Sequence, residues 1–227
     1  MATKAELEQV RRALNKLTAS ALSDLTSVFA SLKTSDRVMV KRALAGAYPE
    51  ILAEYGRASA ALGADLVEAW ASELGVRPRV MMASPLSAKQ ATGAVEWALT
   101  RPDPAASLDV LTDQFVKQPY RDTVQRSAHE SGVAWARVPS GSQTCAFCLM
   151  TASRGAVYRT SATAGSDYKW HGGCDCQVVM VRNEADYPEG YDPGAALDLY
   201  LTARGNVEGN PTTNAILAEM RKITGDS

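Results

Sequence analysis

Cysteine is missing from most of this 227-residue chain: all four copies lie between positions 145 and 176. Histidine is scarcer still, with two copies, His129 and His171. That leaves little material for a Ser/His/Asp arrangement, and no convincing one can be assembled, so no enzymatic activity is expected. Aromatic residues make up 7% of the chain and the formal net charge is −1. A near-neutral chain lacks the field of a general polyanion binder. No apolar run approaches the roughly 18 residues needed to cross a bilayer, so no membrane partner is expected. Internal repeats and low-complexity tracts are also absent.

What remains is a hydrophobic content of 46%, enough for a folded core, with abundant alanine that favours helices. Leu7, Val10, Leu14, Leu17, Ala21, Leu25, Val28 and Leu32 recur at three- and four-residue steps, and neither proline nor glycine occurs before Gly46. This spacing predicts a helix over 4–32, on the order of 40 Å long. Its seam is expected to lie on neighbouring helices, with a partner protein as the alternative. Ser35 is placed to cap a second helix and Pro49 to open a third, with Leu52, Tyr55, Leu62, Leu66, Trp70 and Leu74 on one face. Gly75 and Pro78 should stop that helix, and residues 76–85 read as a partly extended connector. Ser87 suits the cap of a helix reaching about Thr100. Pro102 and Pro104 break the chain before two further helices, at about 105–117 and 120–131.

The texture changes at Gly132. Residues 133–138 and 177–181 have the β-branched and aromatic character of strands, with Pro139-Ser-Gly-Ser as a turn. Residues 157–159 read as a short extended piece and 161–166 as loop. Beyond Asn183 the chain becomes acidic and loop-like, with helices expected at about 195–204 and 212–223. The expected fold class is a mainly α N-terminal half of long helices plus a small α+β zinc-binding C-terminal module. The expected division is a helical docking or assembly region at 1–131, a zinc-stapled module at 132–182, and an acidic loop and helical tail at 183–227. Residues 121–182 hold seven Arg/Lys against four Asp/Glu, a mildly basic balance compatible with a nucleic-acid surface.

The cysteines form two groups, Cys145-Ala-Phe-Cys148 and His171-Gly-Gly-Cys174-Asp-Cys176, separated by 22 residues. A C-x-x-C turn and a distant H-x-x-C or C-x-C supply the soft donors that close a tetrahedral zinc site. Competing readings are four unrelated buried thiols or two disulfides. The first does not account for the clustering. The second is disfavoured because the chain runs from Met1 straight into a charged amphipathic helix without a secretory signal, so a reducing cytosol is expected. Cys145, Cys148, His171, Cys174 and Cys176 are five candidates for four positions, and spacing does not identify the spare one. Zn2+ is expected to be structural: the nearest acids, Asp167 and Asp175, sit in no hydrolytic motif. The zinc deaminase pattern also fails, because His129 and Glu130 are adjacent and Thr144 precedes Cys145. His129 instead suits a helix end. A module of about 50 residues is too small to rely on its apolar core alone, so a metal staple has a physical role.

Thr144-Cys-Ala-Phe-Cys148, Ser153-Arg-Gly-Ala-Val-Tyr158 and His171-Gly-Gly-Cys-Asp-Cys176, preceded by Trp135-Ala-Arg-Val-Pro139, resemble the C-terminal module of phage minor head proteins. These form the family named after protein F of phage Mu (MuF-like), and the likeness is strongest to versions from phages of actinobacteria. It covers roughly residues 105–182. The family often carries proline after the histidine and arginine between the last two cysteines, where this chain has Gly172 and Asp175. The resemblance implies a minor capsid protein of the virion head, made in the bacterial cytoplasm and acting in head morphogenesis. Its implied partners are the phage portal protein and capsid or scaffold proteins, with viral DNA as a further candidate. A zinc-stapled nuclease or other nucleic-acid-processing protein, and a capsid maturation protease, are the alternative readings.

Overall fold

A computed structural model describes residues 2–32, 36–141, 144–156 and 170–225. Helix α1 spans Lys4–Ser31 and starts at a capping box in which the Glu6 amide donates to Thr3 while Glu6 accepts from the Thr3 backbone. Its buried face is Leu7, Val10, Leu14, Thr18, Ala21 and Leu25. Leu17 and Val28 sit at the margin of that stripe and are only partly buried.

The two helices predicted around Pro49 are one. Helix α2 runs unbroken over Arg37–Glu73 with Pro49 inside it. A proline in a helix interior removes one hydrogen bond and costs about 3 kcal/mol. Here the flanking turns bury Leu44 and Tyr48 on one side and Ile51 and Leu52 on the other against a common core, so breaking the helix would expose both. Asp36 caps α2, accepting from the Val38 amide at 2.8 Å, and the predicted cap Ser35 lies outside the described residues. At the far end Gly75 takes a left-handed φ of 67°, and the Val76 amide returns to the Ala71 carbonyl at 2.9 Å.

Helix α3 (Ala88–Ala98) opens on a capping box between Ser87 and Gln90. Helix α4 (Pro104–Glu130) also merges two predicted helices, with Pro119 buried in its interior. Beside that interruption the Tyr120 amide donates to Ser59 Oγ on α2 at 3.2 Å. Small residues set the α2–α4 distance: a Cβ on Gly63 would lie 3.0 Å from the Tyr120 carbonyl oxygen and 3.1 Å from Thr123 Cβ. Contacts pair Tyr48 with Thr112, Ser59 with Tyr120 and Gly63 with Thr123, so the two helices run parallel. Helix α1 runs antiparallel to both, since its first turns share a core cluster with the last turns of α2 and α4.

A parallel helix pair needs a long return, and residues 76–87 provide part of it. The amides of Arg79, Met81 and Ala83 donate to Ser131, Ser127 and Thr123 on α4 at 2.9, 2.8 and 2.9 Å. Two extended residues advance about 6.6 Å and four helical residues about 6 Å, so alternate amides meet every fourth helix residue.

Strand β1 (Ala134–Val138) pairs antiparallel with β2 (Gln177–Val181), with Ala134 opposite Val181 and Val138 opposite Gln177. Every position of both strands is buried. Gln177 Nε2 donates to the Leu7 carbonyl at 2.9 Å, and Tyr120 OH donates to Gln177 and to the Val178 carbonyl, each at 3.2 Å. These bonds fasten the sheet to α1 and α4. The core cluster there contains Leu7, Val10, Leu14, Trp70 and Val124 together with Cys148, Cys174 and Cys176. Helix α5 (Ala146–Ala152), a 3-10 turn at Glu184–Asp186, α6 (Pro193–Gly205) and α7 (Thr213–Thr224) complete the described elements. Ala146 and Met150 of α5 pack with Ala203, Ile216, Leu217 and Met220 in a smaller cluster. The chain is thus mainly helical, with seven described α-helices and one small two-stranded sheet. No described helix is long and apolar enough to cross a membrane. The extended piece at 157–159, the loop at 161–166 and Asp167 lie outside the described residues.

Candidate metal centre

Cys145 is the N-cap of α5, its sulfur accepting from the Cys148 amide at 3.4 Å. That places two sulfurs at a helix N-terminus, where the exposed amides and the helix dipole favour anionic thiolates. On the other arm, a turn through Gly172 and Gly173 (φ 73°) brings the Cys174 amide to the His171 carbonyl at 3.2 Å and leads into β2. This turn is seated on α4. The Gly173 amide donates to Asp113 at 2.8 Å, and a Cβ on Gly172 would come within 2.6 Å of the Val110 carbonyl oxygen.

The fold brings all five predicted residues together. His171 Nε2 lies 3.2 Å from Cys145 Sγ and 3.5 Å from Cys148 Sγ, and Cys148 Sγ lies 3.4 Å from Cys174 Sγ. The donors form two triads, Cys145/Cys148/His171 and Cys148/Cys174/Cys176, with Cys148 in both. None of the four cysteines is in a disulfide. Donors around a tetrahedral zinc ion are about 3.5–3.8 Å apart, and the observed separations lie within about 0.4 Å of that spacing. His171 Nδ1 lies 2.8 Å from the Gly172 carbonyl oxygen, which can only accept. The proton on Nδ1 is thereby fixed, and Nε2 is the nitrogen available to a metal. Cys145, Cys148, His171, Cys174 and Cys176 together could hold a metal ion.

Packed this closely, the titratable groups of the cluster pull one another in opposite directions. Contact with the Cys148 thiol holds Cys145 down to about 4 against the effect of burial, with His171 and the Cys148 amide adding to it. His171 is pushed up to about 9 by Cys145, with burial opposing and the Gly172 carbonyl assisting. Cys174 is held far below the usual thiol range by Cys148 and Cys176, and further by Arg121 and Arg137. Cys148 is pushed up by its contacts with Cys145 and Cys174. For Cys176 the pull of Cys148 is outweighed by Cys174 and burial, so it also rises. Four thiols this close cannot all ionise unaided. A divalent ion would remove that conflict.

Three further residues belong to the site and were not expected from the sequence. Arg121 and Arg137 are each 1% exposed, although the basic balance of 121–182 reads as a surface property. Arg137 Nη2 donates to Cys174 Sγ at 3.5 Å and Cys148 Sγ at 3.8 Å. Arg121 Nη2 donates to the Cys174 carbonyl at 2.7 Å. Both guanidiniums lie against the Trp170 ring, 4.3 Å from its centroid for Arg121 and 3.8 Å for Arg137. An arginine inside the strand Ala-Trp-Ala-Arg-Val and a tryptophan next to a candidate ligand were the available signals. His129, by contrast, is in the last turn of α4, away from both donor triads, with its Nδ1 3.3 Å from a Glu130 carboxylate oxygen. Asp175 takes no part in either triad.

A sequence model of the family described as "VG15 protein" matches residues 1–203, which includes every candidate ligand. The chain is 33% identical to the Gene 15 protein of Mycobacterium phage D29 over 30% of its own length and 35% of that protein. It is also 33% identical to the Gene 15 protein of Mycobacterium phage L5, over 24% of its own length and 31% of that protein. These matches span about a third of each relative. No solved structure matches the chain.

Proposed function

The chain belongs to the VG15 protein family, and from that premise we propose that it is a minor capsid protein of the phage head, of the Mu protein F type. In this reading it is a non-enzymatic component of the virion. It docks on the portal and capsid or scaffold proteins during head assembly in the bacterial host, and assists DNA packaging or ejection. The five-residue cluster holds a structural Zn2+ ion. The likeness to two phage proteins supports the viral setting.

One observation carries the reading of the site: two cysteine groups separated by 22 residues converge inside a core shared with α1, α2 and α4. Coordination there would tie the sheet and α5 to the three long helices, which suits a rigid assembly part. Cys145, Cys148, His171, Cys174 and Cys176 supply five donors for the four positions of a structural zinc. The ion would neutralise thiolate charge and cross-link distant segments. The role of His171 also supports a structural reading, since its free nitrogen faces two sulfurs.

The test is capture of a tagged chain from cells producing phage heads, with analysis of purified virions. The proposal expects portal and capsid proteins in the captured material and the chain in the virion. Absence from virions together with no captured head component would overturn it. Cleavage of DNA by the purified chain in Mg2+ would instead favour a nuclease.

A further inference from the structure

The candidate metal centre lies in the core, where charge is costly unless balanced. Four cysteines that coordinate a divalent ion as thiolates carry a formal charge of −2 with it. Two guanidiniums, from different elements of the fold, lie beside them. We propose that Arg121 and Arg137, gathered on Trp170, are the built-in counter-charge of this centre and let a four-thiolate, divalent-metal cluster sit in the core as a neutral unit. The proposal rests on the metal reading above.

Three features support it. First, Arg137 directs an N–H at the sulfurs of Cys148 and Cys174, the contact by which an outer residue stabilises a metal thiolate. Second, Arg121 is fully buried, and among the described residues no ion pair joins it to a carboxylate. Its Nε and Nη1 have no hydrogen-bond partner there. Asp113, the acid nearest in charge to Arg121, bonds the Lys117 ammonium at 2.5 Å and the Gly173 amide at 2.8 Å. Third, the two guanidiniums repel each other, yet both are held against one indole. A shared anionic neighbour offsets that repulsion, and Cys174 of the sulfur cluster meets both guanidiniums, its carbonyl accepting from Arg121 and its sulfur from Arg137. Arginine suits this role because it stays charged when buried and can stack on the indole while donating sideways.

Arg121 and Arg137 are positioning residues in this account, since neither donates an electron pair to the metal. The test is titration of the reduced full chain with Co2+, and then Zn2+, against a competing chelator. The thiolate-to-cobalt absorption band reports the ligand set. Arg137→Met should weaken both metals by about 10- to 100-fold with the band unchanged in position. Arg137→Lys should recover most of that affinity, because it restores the charge but not the planar stack. If the Met variant fails to fold, the Lys variant still decides. Near-native affinity supports a charge role, and a loss as large as removing any other buried stacking residue overturns it. Unchanged affinity in Arg137→Met also overturns it. A wild-type chain that binds neither metal overturns the metal reading, and this inference with it.

Discussion

Cys148 and Cys174 are 26 positions apart in the chain, yet their sulfurs lie 3.4 Å from each other inside the main core. Cys148 is the hinge of the cluster, because it belongs to both donor triads. Its side chain is also in the same apolar cluster as Leu7 and Trp70, so disturbance there should be felt in the long helices.

Cys148 is a member of both donor triads, whereas Cys176 is a member of only one. Cys148→Ala should therefore abolish stoichiometric metal binding and lower stability by at least about 3 kcal/mol, as loss of a structural metal does. Cys176→Ala should be milder on both counts. Metal analysis and denaturant unfolding of the two variants side by side check the order. Equal effects would remove the special place of Cys148.

The α2–α4 contact depends on the missing side chain at Gly63. Gly63→Leu would drive a branched group toward the Tyr120 carbonyl, 3.0 Å from the first added carbon. Overpacking of this kind costs about 1–3 kcal/mol, more than the gain in helix propensity. Gly93, whose added Cβ would meet nothing within 4 Å, serves as the control. Gly93→Ala should stabilise slightly.

The hydroxyl ladder on α4 gives a local prediction. Ser127→Ala leaves the Met81 amide without its acceptor and should cost about 1–2 kcal/mol. Hydrogen exchange at Met81 should accelerate, while the Ala83 amide, held by Thr123, keeps its protection. Uniform acceleration along 76–87 would mean that the segment is held as a unit.

Asp186 accepts from the Arg182 amide at 2.8 Å, the Arg182 guanidinium at 3.2 Å and the Asn183 amide at 3.4 Å. The Arg182 side chain is the main cause that holds its carboxyl below the usual range, against the opposing effect of burial. The depressed folded value means that its stabilisation is present above the unfolded value near 3.8 and is lost as pH falls through the lower folded one. Asp186→Asn should thus destabilise the chain at neutral pH, and its difference from wild type should shrink below about pH 4. Thermal unfolding at a series of pH values reads this directly.

Sequence periodicity was enough to place α1, both strands and the last two helices, because each has a clean local start and stop. The proline rule misplaced two boundaries. Pro49 and Pro119 carry local penalties that sequence makes visible, whereas the compensating burial of Tyr48 and Leu52, or of Val116 and Tyr120, is tertiary. The parallel course of α2 and α4 was hidden for the same reason, since the Ser and Thr residues that receive the connector look like ordinary polar positions. The five metal-site candidates were legible because cysteine and histidine are so rare here. Arg121 and Arg137 were not. Arginine in a sequence reads as solvent-facing, and only the fold shows that two of them lie beside the sulfurs.

X-ray absorption at the zinc edge, on reduced protein purified without added metal, addresses the central claim most directly. One zinc per chain with a first shell of sulfur, or sulfur plus one imidazole nitrogen, is the predicted result. Metal-free protein that is fully folded and takes up no zinc would contradict the account.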